Sequence, residues 1–277
     1  MLRGFYTAAT GMIAQQRRTE MLTNNLSNAR TPGFKADQSS MRAFPEMLIQ
    51  RFDKTNIPTE KGLNLPINSF VGGLNTGVYM QEATPTFTQG NIQETGNKTD
   101  IALIDIAMPV NEENGKNGSV FYTAMHQGAI CYTRNGNFTL DQQKYLTTPG
   151  GYYVLDSQGQ RIQLNSDQFT VNNNGDIYEN GQFVASLGVA YAENPYSLVK
   201  ESDGMYYSNG GQLPMANNVP GVQFSLQQGV LEQSNVDPSR TMTDMMTAYR
   251  AFEANQKILQ AYDRSLEKTV NEVGRIG

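Results

Sequence analysis

Apolar residues recur at helical spacing at both ends of the chain and at strand spacing between them. From Leu2 to Ala29 there is no proline, and Leu2, Phe5, Ala9, Met12, Leu22 and Leu26 fall on one stripe, interrupted at Gln16 and Thr19. That period predicts an amphipathic helix. The segment Asn28-Ala29-Arg30-Thr31-Pro32-Gly33-Phe34 ends it. Pro32 drives Thr31 out of the helical region, and Gly33 permits a turn.

From about Phe34 to about Gly229 short apolar and aromatic runs are separated by turn pairs: Asn135-Gly136, Pro149-Gly150, Asn174-Gly175, Asn180-Gly181 and Asn209-Gly210. Asn-Gly between apolar runs signals a hairpin, because both residues accept positive φ. Tyr152–Leu155 and Arg161–Leu164 flank one such turn, and Val171, Ile177 and Phe183 continue the series. The pattern predicts an all-β domain of many short strands. A weaker helical pattern covers Ser39 to Arg51. Residues Thr55 to Gln81, rich in Gly, Pro and Asn, read as an extended, poorly ordered arm.

The chain reverts to helix after Asn235-Val236-Asp237-Pro238, with Asp237 as the expected cap and Pro238 at the first helical position. Met242, Met245, Tyr249, Phe252, Gln256, Leu259, Asp263, Leu266 and Val270 then follow alternating steps of three and four. This is a heptad seam with polar lapses at Gln256 and Asp263. Nothing breaks it before Gly274, so the helix should run roughly 50 Å. The opposite face carries Arg250, Glu253, Lys257, Arg264 and Lys268, a solvated mixture of signs.

The expected order is therefore helix and turn over 1–33, linker or arm over 34–90, β domain over 91–229, and heptad helix over 230–277. The fold class is mixed and mainly β, a central β domain flanked by terminal helices. Each helix needs a partner for its apolar stripe, since an isolated helix is marginal in water. They can pair with each other as an antiparallel coiled coil, or with helices of other copies, which means polymerisation.

Composition narrows the chemistry. Of the 277 residues 38% are hydrophobic and only 17% charged, so uncharged Asn, Gln, Ser, Thr and Gly carry the polarity and a modest core remains possible. The net charge of −5 gives no electrostatic footprint for nucleic acid. Cys131 is the only cysteine and His126 the only histidine, which rules out an internal disulfide and a site with paired histidine ligands. No cofactor is implied. No stretch is apolar enough to insert in a membrane. Arg17, Arg18 and Glu20 stand where a cleavable signal peptide would carry its apolar core; a chain exported without cleavage would look the same.

Catalytic constellations are weak. A Ser-His-Asp triad would have to use His126, and no nucleophile elbow accompanies it. Cys131, in an apparent strand, reads as a small buried hydrophobe. The carboxylate pairs Asp100/Asp105 and Glu112/Glu113 suit glycoside hydrolysis only in kind, and there is no Trp to stack a sugar. Asn172-Asn173-Asn174-Gly175-Asp176 lacks the acidic spacing and terminal Glu of a calcium loop and reads as a turn.

The two ends carry more than periodicity. Asn24-Asn25-Leu26-Ser27-Asn28-Ala29-Arg30-Thr31-Pro32-Gly33-Phe34-Lys35 resembles the N-terminal signature of flagellar rod and hook proteins. Gln228-Gly229-Val230-Leu231-Glu232-Gln233-Ser234-Asn235-Val236-Asp237, with Ala248 to Asn255, resembles the matching C-terminal signature. Phe87–Ile92, Thr95-Gly96-Asn97 and Tyr132–Phe138 match in places between them, so the resemblance spans nearly the whole chain. Length and the single modest β domain place it nearest the proximal and distal rod proteins, and among those the paired rod-like proteins of Gram-positive flagella. The segment Ile104 to Gly118 departs from the family's apolar, Gly-rich strand.

The resemblance implies a non-enzymatic structural subunit of the basal-body rod, whose terminal helices pair into a tube that transmits torque to the hook. Its partners would be other copies, neighbouring rod and hook subunits, and the flagellar type III export apparatus, which exports without cleavage. It implies an assembly interface on Leu2, Phe5, Ala9, Met12, Leu22, Leu26, Met242, Met245, Tyr249, Phe252, Leu259, Leu266 and Val270. The signature residues are Asn25, Asn28, Thr31, Pro32, Gly33, Phe34, Ser234, Asn235 and Val236. Two other readings stay open: a rod assembly factor such as a cap or chaperone, and a peptidoglycan hydrolase.

Overall fold

The computed structural model describes residues 2–57, 63–111, 115–201 and 204–273. Within them the chain is mainly β, with many short strands and one long helix near each end. It divides into two compact units. One comprises Met1–Thr23, Ser39–Ala83 and Ser239–Gly277, the other Asn24–Gln38 and Thr84–Pro238.

Helix α1 spans Leu2–Ser27. It stops two residues before the expected end, because polar side chains take over its last carbonyls. The Asn28 amide donates to the Asn24 carbonyl at 2.9 Å. The Asn28 N–H is shared between the Asn24 and Asn25 carbonyls at 3.1 and 3.2 Å. Helix ends leave such groups orphaned unless a side chain or turn meets them. Helix α2 spans Pro238–Lys268, with Pro238 at its first position. Its 31 residues give about 46 Å, and a π-helical turn over Thr269–Val273 follows.

In the first unit the segment expected to be a weak helix, Ser39 to Arg51, is extended instead. Met41–Ala43 pairs antiparallel with Val78–Met80, and Met47–Ile57 pairs with Leu63–Leu74 in a long hairpin. Pro45 lies between the first two strands, where it would remove a helical hydrogen bond and clash with the preceding turn. The arm is therefore paired strand, with its tip outside the described residues. Its base meets α1: the Thr10 hydroxyl accepts from the Val78 N–H at 3.3 Å, and the Thr7 hydroxyl donates to the Thr76 carbonyl at 3.3 Å.

The second unit is built on the strand Ser119–His126. It pairs with Ala129–Thr133, with Tyr153–Val154 and with Val189–Ala192, all antiparallel. Its residues 119–124 are buried on both faces. Val120 and Tyr122 join Ile101, Phe138, Leu146 and Phe169 in the main core. Phe121 packs on the other side with Tyr132, Leu198 and Tyr206. Each such side chain contributes about 1.5–3 kcal/mol on burial. Ile101–Ala107, whose last residues begin the segment that departs from the family pattern, pairs with Gln223–Gln228. The expected turn at Asn180-Gly181 closes a hairpin between Asp176–Glu179 and Gln182–Ser186, with φ of 52° and 79°.

Candidate functional site

The two terminal motifs meet on the second unit, in a polar clasp with a buried charge cluster at its centre. The N-terminal turn is laid against the C-terminal segment by main-chain bonds. The Gly33 N–H donates to the Glu232 carbonyl at 2.8 Å, and the Asn235 N–H to the Phe34 carbonyl at 3.4 Å. Asn235 then spans three segments. Its Oδ1 accepts from the Ala36 N–H at 2.7 Å, while its amide donates to the carbonyls of Thr86 and Thr88 at 2.8 and 3.1 Å. Buried Asn25 is tied reciprocally to the main chain of Asp37 at 2.8 and 2.9 Å. An Asn side chain imitates a peptide group, which explains why the irregular stretches of this crossing are rich in it.

Beneath these bonds the Glu232 carboxylate takes two cations. Lys35 Nζ lies 2.6 Å from Oε1, and Arg134 Nη2 lies 2.9 Å from Oε2. Arg134 also reaches Asp105 at 2.7 Å and the carbonyls of Val120 and Leu103 at 2.9 and 3.0 Å. Lys35 donates its second bond to the Thr88 carbonyl at 2.9 Å, and the Gly90 N–H donates to Glu232 at 2.9 Å. The side chains of Lys35, Arg134 and Glu232 are essentially inaccessible to solvent, while Asp105 keeps an outer edge.

Burial pushes the Glu232 carboxyl upward, but the Arg134 and Lys35 cations outweigh it and hold it below the ordinary range. Burial and the Arg134 charge push the Lys35 ammonium down, against the pull of Glu232. Burial would lower Arg134, yet Asp105 and Glu232 raise it. An outer pair flanks the cluster: Lys200 Nζ lies 2.9 Å from Asp37 and 4.0 Å above the Phe34 ring centre.

Of the signature residues, Asn25, Gly33, Phe34 and Val236 are buried, while Asn28, Thr31, Pro32, Ser234 and Asn235 are half-buried. The sequence patterns singled out the turn but not Lys35, Arg134 and Glu232 as partners. The available signal was a charged residue set beside a buried apolar run: Phe34 before Lys35, Tyr132-Thr133 before Arg134, and Val230-Leu231 before Glu232.

In the first unit small residues of α1 face long side chains of α2. A methyl group on Gly4 would overlap the Tyr262 phenol, and one on Gly11 would lie 3.0 Å from the Asn255 amide nitrogen. Seven residues forward along α1 thus match seven back along α2, so the helices run antiparallel there. The Thr23 hydroxyl faces Met245 Sδ at 3.7 Å. Ala8, Gly11, Ala14 and Leu22 are buried on α1, as are Thr241 and Ala248 on α2. The glycines of α1 leave room for the long Asn255 and Tyr262 side chains of α2, which a larger residue at either glycine would displace.

The apolar stripes of the sequence sit beside this seam. Phe5, Ala9, Met12, Leu26, Met245, Phe252, Leu259 and Leu266 are half-buried, and Leu22 is buried. Met242, Tyr249 and Val270 are exposed, and the Leu2 side chain lies outside the described residues.

The groups weighed for catalysis have other engagements. Asp105 holds Arg134, and Asp100 accepts from the Asn97 amide at 3.1 Å. Glu112 and Glu113 lie outside the described residues. His126 rests against the Tyr152 ring, with centroids 4.6 Å apart. Asn172 Oδ1 accepts from the Asn174 and Asp176 N–H groups at 3.0 and 2.8 Å, which makes that segment a capped turn. Burial pushes the Cys131 thiol up to about 11. Its alkylation by iodoacetamide at pH 8 should run about a hundredfold slower than that of an exposed cysteine. Modification followed by mass spectrometry, native and then in denaturant, checks this; equal rates would show that the strand opens freely.

The fold and the clasp define a class: a mainly β domain that gathers both terminal motifs at one site. Three family models match within it. The "Flagella basal body rod protein" model matches residues 5–35, the "Flagellar hook protein FlgE/F/G D1 domain" model residues 117–179, and the "Flagellar basal body rod FlgEFG protein C-terminal" model residues 227–272. Each matched segment supplies one member of the buried cluster: Lys35, Arg134 and Glu232. The chain is 44% identical to the flagellar hook-basal body complex protein FlhO of Bacillus subtilis (strain 168), over the full length of both. It is 29% identical to FlhP of the same organism, over 96% of this chain and 97% of that one. It is 28% identical to the flagellar basal-body rod protein FlgG of Borreliella burgdorferi, again over 96% and 97%. The chain belongs to the flagellar basal-body rod family.

Proposed function

We propose that this chain is a structural subunit of the bacterial flagellar basal-body rod. The observation that carries the proposal is an inversion along the terminal helices. Glycines of α1 face Asn255 and Tyr262 of α2, while large apolar side chains of both helices face outward. Tyr6 and Ile13, seven residues apart on α1, are 61% and 49% exposed. Met242, Met246 and Tyr249, at steps of four and three on α2, are 55%, 50% and 56% exposed. Contiguous apolar surface of this kind marks a contact waiting for a partner. The helix pair becomes a coiled coil whose outer faces bury against those of neighbouring copies, together with half-buried Phe5, Met12, Phe252 and Leu259. Contacts between unlike faces that do not close a ring generate a helical tube. Such a tube passes torque from motor to hook. The subunit reaches its place through the flagellar export apparatus.

The combined change Met242→Ser, Met246→Ser and Tyr249→Ser should leave the monomer's far-ultraviolet circular dichroism and melting temperature nearly unchanged. It should weaken self-association by at least about a hundredfold, since each burial contributes about 1.5–3 kcal/mol and only part survives the cost of association. Sedimentation velocity of the purified chain reads both states. Quantitative mass spectrometry of purified hook–basal bodies tests the assignment itself. Retention in fixed proportion to other rod subunits is expected. Absence from intact particles would favour an assembly factor instead.

A further inference from the structure

The charge cluster is lopsided. Arg134 has three partners apart from Glu232: Asp105 and the carbonyls of Val120 and Leu103. Lys35 has one carboxylate, Glu232, and one carbonyl, that of Thr88. Glu232 would keep Arg134 and the Gly90 N–H if Lys35 were gone. Without Glu232, the Lys35 ammonium would sit buried beside a second cation. The main-chain bonds do not decide between them: Asp37–Gln38 pairs with Thr84–Pro85, and Val230–Glu232 with Ile92–Glu94. The difference between the two segments lies in the charges.

We infer that the two terminal motifs dock on the β unit in a fixed order, the C-terminal segment first and the N-terminal motif second, with Glu232 as the gate. Coupling of two sites through a shared charge is reciprocal in free energy. The order arises because only one of the two segments can dock alone without an uncompensated buried charge. Lys35 precedes Glu232 by 197 residues. A chain made from its N-terminus therefore keeps residues 24–38 undocked until it is nearly complete. The end of α1 lies in that motif, so the foot of α1 stays loose for the same period. This holds whether or not the chain is built into a rod.

Amide hydrogen exchange on the full-length chain and three variants tests it. In Glu232→Gln, protection across 24–38 should fall at least about a hundredfold, the scale of a broken buried ion pair. The strands over 119–133 should stay protected. In Lys35→Met, protection over 230–236 should stay within about threefold of the parent. In the double variant Lys35→Met/Glu232→Gln, residues 24–38 should recover at least about tenfold over Glu232→Gln alone, because the stranded ammonium has been removed. Unchanged protection of 24–38 in Glu232→Gln overturns the order. So does a Lys35→Met chain that opens 230–236 as far as Glu232→Gln opens 24–38. Should Glu232→Gln not fold, the double variant decides: a folded chain with protected 24–38 supports the gate, and an unfolded one overturns it.

Discussion

Arg134→Met is expected to cost about 3–5 kcal/mol of stability, the range seen when one partner of a buried ion pair is removed. Arg134 is fully buried and joins four acceptors on three segments: Asp105 and the Leu103 carbonyl on one strand, the Val120 carbonyl, and Glu232. Methionine fills much of the volume but donates nothing. Asp105 can rehydrate through its exposed edge. The Leu103 carbonyl keeps the Gln89 amide, whereas the buried Val120 carbonyl loses its side-chain donor, a loss of about 1–3 kcal/mol if it stays unmet. A domain's total stability is only about 5–15 kcal/mol, so the loss is a large share of it. The melting temperature should fall by roughly 10 °C. Because the pairs are shielded from solvent, the difference from the parent should be nearly the same in low and high salt. Urea melts at both ionic strengths check this. A loss below about 1 kcal/mol, or one that vanishes in salt, would mean that water already reaches the guanidinium.

The sequence made the terminal motifs visible because their signals are local. Pro32-Gly33 stops a helix by its own geometry, and Asp237-Pro238 starts one. Asn180-Gly181 closes a hairpin for the same reason. The partners of the motifs were hidden, since Lys35, Arg134 and Glu232 are brought together from three distant segments. Nothing within a short window links them. What a short window does hold is an anomaly, a charge adjoining apolar residues in a chain with few charges. Such a charge must be paired if it turns inward. Asp105 was weighed as half of a hydrolytic pair, and its position against Arg134 gives it a structural engagement instead.

The apolar period and the contact between the two helices pick out different faces. Period analysis finds large apolar side chains, and these lie at Phe5, Met12, Met242 and Tyr249. The observed seam passes through Gly4, Ala8, Gly11, Ala248, Asn255 and Tyr262, one position earlier in each step. A glycine adds nothing to a hydrophobic stripe, yet it leaves room for a long side chain of the facing helix. A seam of small residues is therefore nearly silent to a hydrophobicity count. The Ser39–Arg51 segment failed for a simpler reason. Pro45 argues against a helix there, and long-range pairing to Leu63–Leu74 and Val78–Met80 decided the matter.

Gly33→Ala is expected to cost about 3 kcal/mol, more than other positive-φ glycines in the same unit. Gly33 has a φ of +69°, which an L-residue adopts only with strain of about 1–3 kcal/mol. It also sits against main chain. An added methyl group would overlap the carbonyl of Arg134 and lie 2.6 Å from the Asn135 nitrogen. Overpacking adds about 1–3 kcal/mol, and backbone neighbours cannot swing aside as side chains do. Gly96 is the internal control. Its φ of +73° is nearly the same, but nothing stands within 4 Å of the added carbon. Gly96→Ala should therefore cost only the conformational part, about 1 kcal/mol. The difference between the two variants, read from urea melts under one set of conditions, isolates the contact with Arg134. Moving Gly33 off that carbonyl would also lengthen its bond to Glu232 and pull Lys35 away from its carboxylate. If instead the two variants cost the same, the Arg134 strand yields to the turn, and the clasp holds by its charges alone.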